Sequence, residues 1–223
     1  MIGALLWIAC CTRPDIMYVV NYLSQFQTVA SEHHLGAAKH VMRYLAATID
    51  KQLTYKPDTA QPSVVNTDSL FADMTIQLHS TTGYIIWIYG CPILWRSKKQ
   101  NVRVQSSKDA EYIAADTAIT DSVWYTSFIQ EIMKRTNTEI KMPFRLESDS
   151  QAVIQIIRKG TPTQGPTRIM QLKHHMIIDR YNEGYFTLQW IPGEVNAADI
   201  MTKLIKSKVL FKKHRDRILH TQP

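Results

Sequence analysis

The run Ser63-Val64-Val65-Asn66-Thr67-Asp68 is short, rich in β-branched residues and closes on a carboxylate. Val and Thr favour extended backbone, so the run predicts a strand with an acid at its C-terminal end. Three further acids stand at comparable places: Glu111 in a long helical pattern, Asp149 after a second strand-like run, and Asp199 in a helical stretch near the end. Acids carried by different elements can meet at one point only if the first strand lies in the middle of a sheet. A fold organised in that way is the expectation tested below.

Periodicity fills in the other elements. The opening Met1-Ile2-Gly3-Ala4-Leu5-Leu6-Trp7-Ile8-Ala9-Cys10-Cys11 has no basic start and is too short to span a bilayer, so it reads as a core helix. Pro14 and Asp15 suit a helix start, and Ile16, Val19, Val20 and Leu23 follow at helical spacing. Ser31 suits the cap of a third helix, with Leu35, Ala38, Met42 and Leu45 on one face. A small strand over 51–55 precedes Pro57-Asp58-Thr59-Ala60-Gln61-Pro62, which breaks regular structure and marks a boundary.

Beyond that boundary, residues 83–89 read as a strand, Gly90-Cys91-Pro92 as a turn and residues 93–96 as the returning strand, which gives an antiparallel meander. Ser106 or Ser107 caps a long helix whose apolar face takes Ala110, Ile113, Ala114, Trp124, Tyr125, Phe128 and Ile132, with Glu111 at its edge. Phe144 and Leu146 mark a fourth strand, 151–159 a helix and 160–166 a loop. A further helix closes at Gly184, and Phe186, Leu188 and Trp190 alternate as a fifth strand. The order β-β-β-α-β-α-α-β-α places the chain in the α/β class, a meander followed by crossover units.

At 223 residues the chain has room for one domain and an appendage. Its balance of +7 favours an anionic partner, and Arg96, Lys98, Lys99 and Arg103 form one acid-free cluster while 203–217 forms another. Three cysteines, two of them adjacent, make neither a disulfide framework nor a zinc site and fit a reducing, intracellular compartment. Clustered Asp and Glu are the hard oxygen ligands that Mg²⁺ requires, and two such ions about 4 Å apart can drive phosphodiester hydrolysis. On spacing alone, four ordinary surface carboxylates explain the acids equally well.

A resemblance adds to this reading. From Met1 to about Leu204 the sequence resembles the C-terminal part of the Pol polyprotein of copia-type retrotransposons. Thr12-Arg13-Pro14-Asp15-Ile16 is similar to the segment that closes the reverse transcriptase. Ser80-Thr81-Thr82-Gly83-Tyr84, Trp95-Arg96-Ser97-Lys98-Lys99-Gln100, Ser106-Ser107-Lys108-Asp109-Ala110-Glu111-Tyr112, Ser148-Asp149-Ser150-Gln151-Ala152 and Ala198-Asp199-Ile200-Met201-Thr202-Lys203 resemble successive blocks of its ribonuclease H domain.

The resemblance implies a ribonuclease H-like mixed five-stranded sheet with helices on both faces, and a helical segment at its N-terminal side. Residues 1–56 would be the end of the reverse transcriptase, 62–204 the ribonuclease H-like domain and 205–223 a basic tail. It implies cleavage of the RNA strand of RNA–DNA hybrids with two Mg²⁺ ions, or Mn²⁺ in their place. The four acids of the family fall on Asp68, Glu111, Asp149 and Asp199. Hybrid recognition by shape and backbone contacts would use Arg96, Lys98, Lys99 and Arg103, with Ser106 and Ser107 donating hydrogen bonds. The partners implied are the hybrid and the rest of the reverse transcriptase, with no membrane. The compartment is intracellular, a cytoplasmic retrotransposon particle or the nucleus.

Departures from the family pattern fall at Leu70, where a second Asp is usual, across 74–79, and at Thr167-Arg168-Ile169-Met170-Gln171. They leave room for a catalytically decayed module that binds nucleic acid or a protein partner. An integrase- or transposase-like nuclease on the same fold is the other alternative. His174 and His175 are neighbours on a helix and point apart, so no metal or acid–base role is assigned to them.

Overall fold

The computed structural model describes residues 1–71, 79–134, 143–160 and 168–221. The expected loop over 161–166, Asp73, and the departures at 74–78 and Thr167 lie outside the described residues.

Three helices come first: α1 (Ile2–Cys11), α2 (Met17–Ser24), entered through a 3-10 turn at Pro14–Ile16, and α3 (Glu32–Ala46). A two-residue strand, β1 (Lys51–Gln52), follows. Then come β2 (Val64–Leu70), β3 (Thr81–Ile88), β4 (Cys91–Lys99), α4 (Ser107–Met133), β5 (Phe144–Ser148), α5 (Gln151–Lys159), α6 (Arg168–Asn182) and β6 (Phe186–Trp190). A 3-10 turn at Gly193–Val195 leads to α7 (Asp199–Thr202), α8 (Lys208–Ile218) and β7 (His220–Thr221), which pairs with β1.

The main sheet has five strands in the order β4-β3-β2-β5-β6. Strand β2 is central, antiparallel to β3 and parallel to β5, while β4 runs antiparallel to β3 and β6 parallel to β5. This mixed order, a meander joined to parallel crossovers, is the ribonuclease H-like arrangement expected from the sequence.

The meander turns one position earlier than expected. Tyr89 and Gly90 both have positive φ, 51° and 77°, which matches the tight hairpin turn whose twist suits the flanking strands. Cys91 and Pro92 already belong to β4, and a register shift at Ile86/Trp87 absorbs the proline. A side chain at position 90 would meet the Gln61 amide in addition to the strained φ.

Alternation along the strands divides the interior in two. Val65, Ile86 and Leu146 face α4, α5 and α6, with Tyr112, Ala118, Ile119, Val153 and Ile177. Val64, Ile85, Trp87 and Trp95 face the opposite way, against the N-terminal helices, α7 and the end of α8. The short α7 and α8 cannot cover that face alone, so Leu5, Ala9, Val20 and Leu23 complete it. Trp95 is buried there and donates its Nε1–H to the Ala9 carbonyl at 2.9 Å, so it belongs to the core. The stretch read as a basic tail contains α8, with Ile218 and Leu219 buried in this shared core.

Helix α4 departs from the wheel drawn for it. Ala110, Ile113 and Ala114 are buried, but Trp124, Phe128 and Ile132 are 60, 51 and 57 % exposed. The cause is length. Twenty-seven residues of helix span about 40 Å, against about 23 Å for the seven residues of β2. The second half therefore runs beyond the sheet that would have covered it.

Candidate active site

The strand order brings the acids together. Asp68 lies near the C-terminal end of β2, and Asp149 follows β5, which runs parallel beside it. Ligands in open α/β sheets bind outside such strand ends. Helix α7 delivers Asp199 to the same place, and one carboxylate oxygen each from Asp68, Asp149 and Asp199 all lie within 4.8 Å of one another. Glu111, in the second turn of α4, accepts the Ser69 backbone N–H at 3.3 Å, close enough for Asp68 and Asp149 to act on its ionisation.

A glycine makes the approach of α7 possible. Gly83 on β3 pairs with Asp68 across the ladder. A Cβ there would stand 2.7 Å from the Met201 Cβ and would also overlap the Thr202 methyl. Any larger residue would push α7, and Asp199 with it, off the sheet.

Burial of these acids is incompletely compensated. Asp68 and Asp199 are buried. Asp68 accepts a hydrogen bond from the Thr202 hydroxyl, and Lys203 places its Nζ 2.9 Å from Asp199 Oδ1 and 3.5 Å from Asp68 Oδ2. Glu111 Oε2 is buried with no hydrogen-bond partner. Burial, the largest cause, raises the pKa of Asp68; Lys203 opposes the rise, and Asp199 adds to it. Burial likewise raises Glu111, reinforced by Asp68 and Asp149. An array of hard carboxylate oxygens, held close and short of counter-charge, has the donor set and electrostatics of a divalent-cation site. The residues present fit the cations that the resemblance implies.

Three contributors were not assigned from the sequence. Asn196, fully buried, donates from Nδ2 to the Thr67 carbonyl at 2.8 Å and to Asp149 Oδ1 at 3.3 Å, tying the ends of β2 and β5 together. Thr202 and Lys203 belong to the quoted Ala198–Lys203 block, and the four-residue step from Asp199 to Lys203 is the spacing of a helical ion pair. Asn196 carries no signal of that kind. Gly193 passes so close to Asp149 that a Cβ would lie 3.1 Å from Oδ2.

Three of the expected nucleic-acid residues, Arg96, Lys98 and Lys99, line a separate cleft of about 250 Å³ with Gln100 and Lys173 among others. Arg96 is paired with Asp121 at 2.9 Å, and Lys99 donates to the His79 carbonyl at 3.1 Å. Arg103 is exposed beside His79, and Lys98 is exposed on β4. Ser106 caps α4: its hydroxyl accepts from the Asp109 N–H and donates to the Asp109 carboxylate at 2.8 Å, so its donor is already engaged. Ser107, the first residue of α4, lies beside it. Of the paired histidines, His174 is buried against the Tyr112 ring, 4.2 Å between centroids, and His175 is exposed.

No family model matches the chain. It is 28% identical over 218 residues to the retrovirus-related Pol polyprotein from transposon RE2 of Arabidopsis thaliana, covering 98% of this chain and 14% of that protein. It is 34% identical over 125 residues to secreted RxLR effector protein 161 of Plasmopara viticola, covering 56% of this chain and 88% of that one. Among solved structures, LC11-RNase H1, isolated from compost, is similar over 63% of this chain and 91% of its own, with 18% identity and a TM-score of 0.46. The fold assignment rests on strand order and direction. The chain spans about one-seventh of the Pol polyproteins it matches along nearly its whole length.

Proposed function

We propose that the chain, similar along nearly its whole length to Pol polyproteins of copia-type retrotransposons, is a ribonuclease H-type hydrolase cutting the RNA strand of RNA–DNA hybrids. The observation that carries the proposal is the gathering of Asp68, Asp149 and Asp199 within 4.8 Å at the ends of two parallel strands, with Glu111 beside them.

Asp68, Glu111, Asp149 and Asp199 would together hold two divalent ions, Mg²⁺ or Mn²⁺. Bound there, the ions supply an activated water and charge stabilisation for the leaving oxygen. The chain's own part is positioning. Strands β2 and β5 fix Asp68 and Asp149 side by side, Asn196 orients the Asp149 carboxylate, and Gly83 admits the helix that carries Asp199. Arg96, Lys98, Lys99 and Arg103 would meet backbone phosphates of the hybrid, together with the N-terminal turn of α4 at Ser106 and Ser107.

Its partners would be the hybrid and the upstream reverse transcriptase, inside the cell. Among the described residues no helix is long and apolar enough to cross a membrane. The test is Mg²⁺-dependent cleavage of a labelled RNA–DNA hybrid by the purified chain, lost in Asp68→Asn while the fold persists. A second reading, a decayed module that binds hybrids without cutting, draws on Leu70 at the end of β2, where the family usually has an acid. Hybrid binding without metal-dependent cleavage would decide for it.

A further inference from the structure

Lys203 stands where a cation would be drawn. It follows α7 directly, its Nζ reaches oxygens of two of the three clustered carboxylates, and the side chain keeps 41% of its exposure. An ordinary helical pair with Asp199 would be worth little, because exposed ion pairs are weak and screened. Two features set this one apart. The acids it touches have side chains only 3 and 8% exposed, so Lys203 supplies neutralisation that solvent cannot. Asp68 and Asp199 both belong to the set that can hold a metal ion, so an ammonium and a dication compete for the same two carboxylates.

The ammonium also has somewhere to go. Lys203 lines a second cavity of about 420 Å³, whose apolar lining includes Ile16, Val19, Val41 and Phe211 and whose charged lining includes Lys208, Lys212 and Arg215. A lysine stem can lie along such an apolar wall while its charged head stays in water. The side chain is already 41% exposed, so rotation about it would carry Nζ from the carboxylates into solvent without moving the backbone.

We propose that Lys203 is a tethered counter-cation of the carboxylate site, neutralising Asp68 and Asp199 when no divalent ion is held and displaced into solvent when one binds. The proposal rests on the reading of these carboxylates as a metal centre and adds a regulation to it: the lysine sets the ion concentration at which the site fills. Removing its charge strengthens metal binding and weakens the metal-free fold, a combination that a purely structural salt bridge does not produce.

The experiment uses the full chain and Mn²⁺ alone as probe. Binding is measured by calorimetry and the unfolding midpoint in EDTA, for the parent, Lys203→Met and Lys203→Arg. The methionine keeps the stem and loses the charge. It is expected to bind Mn²⁺ about tenfold more tightly, to melt lower in EDTA, and to recover the parent's midpoint with Mn²⁺. The arginine, which keeps the charge, is expected to follow the parent in both measurements. If parent and methionine variant bind Mn²⁺ equally, or the variant binds more weakly, the counter-cation proposal falls while the metal centre stands. If neither binds, the metal centre itself is wrong and the proposal falls with it. Failure of the parent to cut a hybrid despite binding Mn²⁺ would overturn only the assigned activity.

Discussion

Strands β2 and β5 carry two buried acids with opposite surroundings. Glu147 on β5 is fully provided for: Asn66 donates to Oε2 at 2.8 Å, Arg145 approaches Oε1 at 2.7 Å, and Trp87 holds Asn66 in turn at 2.8 Å. Asp68, two residues beyond Asn66 on the same face of β2, has Thr202 and a shared lysine, and faces Asp149 and Asp199. Burial is comparable, so burial does not separate structure from function here. The separation lies in whether the partners close the account. A satisfied acid stiffens the sheet, whereas a cluster of like charges persists where a cation can answer it.

Charge removal is the strongest way to break this contrast. Asp68→Asn should lower hybrid cleavage by about a thousandfold or more, while raising the metal-free unfolding midpoint, because a repelling charge is gone. Glu147→Gln should do the reverse. It should cost about 1–3 kcal/mol of stability by leaving Arg145 and the Asn66 amide mismatched, and leave hybrid cleavage near the parent's rate. Equal loss of activity in both would erase the distinction. Next in size is Asn196→Ala, which frees the Asp149 carboxylate and should reduce kcat by about 10–100-fold, in the range of outer-shell changes at metal sites. A drop in KM alone would contradict its positioning role.

The two glycines of the hairpin sharpen the same contrast at the level of backbone. Gly83→Ala and Gly90→Ala should each cost about 1–3 kcal/mol in chemical denaturation. Only the first should weaken Mn²⁺ binding, since only Gly83 lies under α7.

The smallest effect is on pH. Burial first, then neighbouring acids, raise Asp68 to about 7 and Glu111 to about 9. A carboxyl whose folded pKa exceeds its unfolded value holds its proton more tightly in the fold, so stability falls as pH rises towards the folded pKa. The buried His214, lowered to about 4 mainly by desolvation, works the other way, but only below about pH 6.5. Between about pH 7 and 9 the metal-free protein should therefore lose stability, by at most about 1.4 kcal/mol per pH unit for each proton involved. Asp68 has already given up its proton across most of this window, so Glu111→Gln should flatten the slope, and a slope unchanged by it would place the titration elsewhere.

Most of the fold was legible because its signals are local. The β-branched runs, the alternation of Phe186 and Leu188 with polar residues, and the Ser106 cap all predict their elements from neighbours in sequence. The meeting of Asp68, Asp149 and Asp199 was expected from their places at element ends together with the resemblance, since spacing alone did not separate them from surface carboxylates. What escaped depends on the reach of other elements. A helical wheel groups Trp124 with Ala110 but cannot say that the sheet stops before Trp124. The role of α8 was hidden because Ile218 and Leu219 sit among basic residues and reveal their burial only when the shared core is assembled. Lys203 was counted within a charge cluster, and only the fold turns its head inward to Asp199. Asn196 had no pattern to announce it, since a single amide bridging two strand ends leaves no periodic trace.

The shared core also sets what cutting the chain between its two halves would do. The Pro57–Pro62 bend, which divides the two halves on paper, joins them without separating them. Scission there, followed by departure of the upstream helices, would bare Ile85, Trp87 and Trp95 along a whole side of the sheet. The β1–β7 pairing would be stripped at the same moment. The N-terminal helices are thus part of the cover of this sheet, and removing them should destabilise it.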